Sequence, residues 1–284
     1  MMFWNMLRIE QQKLWKRTIL RVELIIMGVG VLALNALFFA ISRMDGSNPA
    51  MAQLEQTLVW PLGLVQSVGL AAGPSLGGIL MVILVGAVVA QEYTWRTLQL
   101  WLSRGVPRST FLAAKFAALL LPALLLVLTP LFFGGLVTAV LSQIILGHIP
   151  VDAVEWGRLL TTTLATAYSL LPYAGLAFFL AVATRSVIVA VGAGLAYILL
   201  LEGIVVQLLT FAGGGWADIG RYLPAGLGQG MLSIGTATTV EVGGQAAPAI
   251  QFLEPGAAAI GIALYSVAFV ALSIVIFRRQ DLGG

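Results

Sequence analysis

Six stretches of this chain each sustain an apolar run of about 20 residues, the length a helix needs to cross the hydrocarbon core of a bilayer. They lie at about 22–42, 68–90, 112–141, 159–183, 187–210 and 256–277. The chain is 60% hydrophobic and 10% charged, whereas soluble domains carry roughly 25% charged residues. A soluble fold of this size would have nowhere to bury the surplus, so lipid must be its solvent. The expected architecture is a single all-α integral membrane domain over residues 1–284 with six transmembrane helices.

The third run, 111–146, exceeds one straight crossing. Pro122, Pro130 and Gly134-Gly135 offer kinks, so it is taken as one bent span; a second crossing would spoil the charge pattern. Only Thr184, Arg185 and Ser186 separate the fourth run from the fifth.

Twelve of the 15 lysines and arginines fall on one side of a six-span arrangement. These are Arg8, Lys13, Lys16, Arg17 and Arg21, then Arg96, Arg104, Arg108 and Lys115, then Arg185, Arg278 and Arg279. The other side holds Arg43, Arg158 and Arg221 beside Asp45, Glu55, Asp152, Glu155, Asp218, Glu241 and Glu254. The positive-inside rule then places both termini in the cytoplasm. The charged start runs to Arg21 and a span-length run follows it, so the N-terminal segment reads as retained rather than as a cleavable signal.

Residues 3–21 set Trp4, Leu7, Leu14 and Trp15 against the basic face of Arg8, Lys13, Lys16 and Arg17. An aromatic and apolar stripe beside a cationic one predicts an interfacial helix on an anionic leaflet. Residues 211–254 are too apolar for a free loop and too interrupted for a span; short, partly re-entrant external helices are expected there.

Some chemistries are excluded. The three lysines, Lys13, Lys16 and Lys115, do not follow glycines, so there is no phosphate-cradling G-x-x-x-x-G-K-[ST] loop. With one histidine, His148, and no cysteine, a histidine-rich or thiolate metal site is excluded too, and no catalytic or cofactor-binding residue is expected. Glu202 is the one acid well inside a run, with Gln207 beyond it and Asn35 in the first run. Intramembrane polar groups are candidates for a translocation path or, equally, packing contacts. Glu23, at the inner edge of the first run, reads as a solvated boundary residue or an arginine partner. Gly69, Gly73 and Gly77 repeat at four-residue spacing and would bare one helix face, either a homodimer seam or close packing within one subunit.

The longest basic break, residues 91–115, is also greasy: Arg96, Arg104, Arg108 and Lys115 alternate with Trp95, Leu98, Trp101 and Leu102. Thr94 in a cap position and Glu92 near a positive helix end predict a short surface helix ended by Gly105-Val106-Pro107.

This stretch resembles the loop between the second and third spans of permease subunits in the type-2 ATP-binding-cassette transporter family. The shared features are Glu92, Thr97-Leu98, Leu100 and Leu102, Val106, Arg108 and Lys115. Glu10, Lys13 and Arg17 resemble that family's amphipathic N-terminal helix. Arg96, Gly105 and Pro107 depart from it, standing where glycine, proline and serine are common. The resemblance implies a transmembrane permease of a prokaryotic plasma (inner) membrane, paired with a second copy or a paralogue. Two cytoplasmic ATPase subunits would hold the ATP and magnesium, and no nucleic acid is involved. ATPase coupling would then fall to Glu92, Trp95, Arg96, Leu98, Trp101, Leu102, Arg104 and Arg108, and export of an amphipathic, lipid-like or peptide-like substrate is expected. The alternative is an ion-coupled transporter working through Glu202.

Overall fold

Away from water a backbone must satisfy its own hydrogen bonds, which leaves helices as the solution for long apolar runs. In the computed structural model, which describes residues 2–44, 49–95, 105–206, 208, 219–233 and 252–280, every regular element is helical. An amphipathic α1 (Met2–Lys16) leads into the long α2 (Thr18–Ser42). Two short helices, α3 (Pro49–Leu58) and α4 (Leu62–Gly69), precede α5 (Leu76–Thr94). Next come α6 (Arg108–Ala118), α7 (Leu120–Leu146), α8 (Trp156–Ser169) and α9 (Leu171–Thr184). A helix α10 (Val187–Ala196) continues as a π-helix, Tyr197–Val205, and α11 (Pro224–Leu232) and α12 (Pro255–Arg279) complete the described fold.

Six of these helical stretches are long and apolar enough to cross a membrane: Thr18–Ser42, Leu76–Thr94, Arg108–Leu146, Trp156–Thr184, Val187–Val205 and Pro255–Arg279. The third and fourth are each broken once, at Leu119 and Leu170. Both breaks sit just ahead of a proline, Pro122 and Pro172, whose ring nitrogen has no hydrogen to give the carbonyl four residues back. Gly134-Gly135 does not kink α7, which runs through unbroken. Gly134 is instead where α4 leans on α7, since a β-carbon there would strike Ser67.

Burial separates the helices into two kinds. The apolar window of Leu76–Thr94 is 72% buried and that of Trp156–Thr184 67%, against 22% for the first, fifth and sixth spans. The second and fourth spans therefore form the centre. The peripheral helices turn apolar side chains outward, such as Ile25 and Val29 on α2 or Leu264 and Val267 on α12, as lipid contact requires.

Two sequence expectations change here. The second span begins at Leu76 rather than near residue 68, because residues before it form α4 and a turn. In consequence Gly69, Gly73 and Gly77 do not share a helix face. Gly69 ends α4, Gly73 lies in the turn against the Tyr173 ring, and Gly77 opens α5 against the Ala71 backbone. Gly73 and Gly77 are covered by their own chain, which is the close-packing alternative for those two. The segment between the first and second spans holds α3 and α4. It is pinned to α7 by Trp60, whose indole donates to Thr138 Oγ1 at 3.0 Å and whose amide donates to Ser142 Oγ at 2.9 Å.

Candidate functional site

At one end of the bundle the start of α2, the end of α5 and the start of α6 converge, and α1 packs on them. On α1 the i, i+4 spacing puts Met6, Glu10 and Leu14 on one buried face. Trp4, Arg8, Trp15 and Lys16 are exposed on the other. Lys13 and Arg17, expected on that basic outer face, turn toward the bundle instead.

Glu10 meets Lys115 of α6, whose Nζ lies 2.9 Å from Glu10 Oε2 and 2.6 Å from Glu92 Oε1 of α5. Lys13 Nζ closes the group at 2.6 Å from Glu10 Oε1 and 3.5 Å from Glu92 Oε1. Two acids and two bases thus form a neutral cluster in which Glu10, Glu92 and Lys115 are each only 2% exposed. Burial alone would push the Glu10 carboxyl up, but Lys115 and then Lys13 outweigh it and hold it below its ordinary value of 4.5. Arg17 adds a second tie from the head of α2: its Nη1 donates to Gln91 Oε1 at 2.7 Å, and its guanidinium lies 5.2 Å from the centre of the Trp95 ring.

Several expectations about 91–115 are revised by this geometry. Thr94 is the last residue of α5 rather than the cap of a new helix. Glu92 lies inside the same helix, with its carboxylate turned into the cluster. Lys115 is a buried ion partner of Glu10 and Glu92. Trp95 remains exposed. Arg96, Leu98, Trp101, Leu102 and Arg104 lie outside the described residues, as does Gln207.

Arg108 is also turned inward. Its Nη1 lies 3.0, 3.0 and 2.9 Å from the carbonyl oxygens of Phe277, Arg278 and Gln280, and the guanidinium sits over the Phe277 ring. It caps the C-terminus of α12, where free carbonyls and the negative end of the helix dipole favour a cation. Gln280 extends the closure by donating to the Val182 carbonyl at 2.8 Å and accepting from the Tyr93 hydroxyl at 3.3 Å. Arg108 and Gln280 therefore fasten α5, α6, α9 and α12 together at the same end as the ion cluster.

At the opposite end, Glu202 sits in the π-helix and is 6% exposed. Tyr173 Oη of α9 donates to its Oε2 at 2.7 Å, and the amide of Ala225, second residue of α11, donates to its Oε1 at 3.0 Å. Asn35 is not part of that group; its side chain donates to the Val31 carbonyl of its own helix at 2.9 Å. Glu23, expected to be solvated or paired with an arginine, is buried in α2, and neither carboxyl oxygen has a hydrogen-bond partner among the described residues. It stands at the edge of the apolar run in sequence, but the helix begins earlier, at Thr18, and carries it into the bundle.

The chain is similar to an uncharacterized protein of Bacillus subtilis, YhcI, at 29% identity over 219 residues, covering 73% of this chain. It spans about 65% of that relative's length. Residues 75–283 match the family described as "Protein of unknown function (DUF2705)". The matched region carries Glu92, Arg108, Lys115 and Glu202, and with it the chain belongs to that family.

Proposed function

We propose that this chain is the transmembrane permease subunit of an ATP-driven exporter, worked by a separate cytoplasmic ATPase that presses on the segment between α5 and α6. The observation that carries the reading is the buried cluster of Glu10, Lys13, Glu92 and Lys115. It ties α1, α5 and α6 into one body where that segment leaves and returns. A push delivered between Trp95 and Gly105 would then move three helices together rather than bend a loose loop. Arg17 stacked on Trp95, and Arg108 locked to the end of α12, would pass the same displacement to the first and sixth spans.

On this reading the charge asymmetry supports a cytoplasmic position for this end and both termini. The exposed Trp4, Trp15, Arg8 and Lys16 suit α1 to the surface of an anionic leaflet. Within this reading the revised residues change role. Glu92 and Arg108 transmit force inside the permease, and Trp95 with the basic, leucine-rich residues after it would meet the ATPase. The chain, whose sequence carries no phosphate-binding loop, would on this reading receive its work from a partner.

The test is purification of the tagged chain from gently solubilised native membranes. An ATP-binding-cassette ATPase is expected to copurify, and Trp95→Ala is expected to lower coupled ATP hydrolysis while membrane insertion stays normal. Recovery of the chain with no such ATPase, or unchanged coupling in Trp95→Ala, overturns the proposal. A second reading, an ion-coupled transporter, draws on the buried carboxylate of Glu202. Dependence of transport on a proton gradient rather than on ATP would favour it.

A further inference from the structure

Glu202 borders a cavity of about 350 Å³ between the π-helix, the turn before α5 and the start of α11. Apart from the carboxylate and the amide of Gln229 its lining is apolar, with Pro74, Ile198, Gly203 and Phe252 forming much of the wall. A volume near 300 Å³ is the lower end of what small-molecule sites occupy. An ionised carboxylate offers about four lone-pair positions; Tyr173 Oη donates to Oε2, the Ala225 amide to Oε1, and the Tyr197 hydroxyl donates to the carboxyl as well. All three are neutral donors, and no lysine, arginine or histidine is ion-paired with Glu202 among the described residues. A buried acid is thus oriented by neutral donors, with no cation paired to it among the described residues, at the edge of an apolar space.

We propose that this cavity is a binding site for a small amphipathic organic ammonium, its charged head donating to Glu202 and its hydrocarbon body lying along Ile198 and Phe252. Among the described residues only Glu202 and Gln229 bring side-chain oxygens to the lining, against the six or more oxygen ligands that calcium and similar ions take, which favours an ammonium over such a cation. The lining selects against an uncharged alcohol, which would gain the apolar contact but not the charge-assisted hydrogen bond. The π-helix contributes directly. Val206 N–H donates to Leu201 O, five residues back, and this wider winding sets Gly203 in the wall beside the carboxylate, where a side chain would take up the space. The claim concerns binding and holds whatever energises the chain.

The test uses the full chain in nanodiscs of zwitterionic lipid, with radiolabelled octylammonium as the probe and empty nanodiscs as the baseline. Saturable binding near one probe per chain is expected, displaced by unlabelled octylammonium and not by octanol or sodium. Glu202→Gln should weaken it by about tenfold or more, the loss of one charge-assisted hydrogen bond. Gly203→Leu keeps the carboxylate and its partners but fills the cavity, and should abolish saturable binding. Should Glu202→Gln fail to fold, Gly203→Leu decides alone. No saturable binding above empty nanodiscs, displacement by octanol as effective as by octylammonium, or undiminished binding to either folded variant overturns the proposal.

Discussion

Lys115 donates to Glu92 across 2.6 Å, joining the start of one span to the end of the span before it with both side chains almost wholly buried. A charge taken out of water is tolerated only while its partners stay, and removing one member of a buried ion group typically costs about 3–5 kcal/mol. Lys115→Met should therefore lower the thermal midpoint of the chain in nanodiscs sharply. The double variant Lys115→Met/Glu92→Gln removes one charge of each sign, leaves Glu10 paired with Lys13 at 2.6 Å, and should regain most of the loss. A Lys115→Met protein as stable as the parent would mean that the cluster does not hold α1 on the bundle.

The same cluster sets a pH response. The Glu10 carboxyl is held below 4.5 by Lys115 and Lys13 against the opposing effect of burial. A group whose folded value is depressed stabilises the fold above its unfolded value, and that contribution disappears as pH falls through the folded one. The midpoint difference between the parent and Glu10→Gln should stay constant above about pH 5 and close at lower pH. A difference that widens on acidification would reverse the sign and refute the assignment.

The six apolar runs were legible because a helix in lipid has to be continuous and apolar for its whole length, and composition alone reports that. Contacts between distant residues were not. Lys115 and Glu10 are 105 positions apart, and nothing in the local pattern of either points to the other. Arg108 looked like a surface cation because its partners are backbone carbonyls of α12, which leave no mark in any side-chain pattern. The break at Leu170 was readable in principle from Pro172, since the same signal at Pro122 was noticed. The glycine ladder misled for a physical reason: four-residue spacing means one face only if a single helix spans it, and here a turn intervenes. Glu202 stands out in the sequence as an acid inside an apolar run, but its partners Tyr173 and Ala225 and the π-helix that carries it follow from tertiary packing.

Arg108 gives a prediction with a local readout. If it caps α12, Arg108→Gln should fray residues 277–280 rather than unfold the bundle. Loss of a cation at a helix C-terminus with its hydrogen bonds is worth about 1–2 kcal/mol. Amide exchange at those residues should then accelerate by roughly 5- to 30-fold. Arg108→Lys keeps the charge at the dipole's negative end but loses the guanidinium fork, and should recover only part of the protection. Equal exchange in all three proteins would show that the carbonyl contacts carry no stability.

Gly73 and Tyr173 link the glycine ladder to the buried acid. The ring of Tyr173 fills the place where a β-carbon on residue 73 would stand, and its hydroxyl holds Glu202 at 2.7 Å. Tyr173 is fully buried, so its ring has little room to retreat without giving up that bond. Gly73→Ala should destabilise by about 1–3 kcal/mol through overpacking and the disturbed hydrogen bond. Tyr173→Phe keeps the ring and loses only the hydroxyl, so its cost should be smaller. Because both changes act through one contact, the double variant should cost less than the two single effects added together. Gly69→Ala is the control, since nothing lies within 4 Å of a β-carbon there, and its midpoint should match the parent. If Gly73→Ala is as silent as Gly69→Ala, the turn is looser than the ring contact implies, and Tyr173 does not position Glu202 through it.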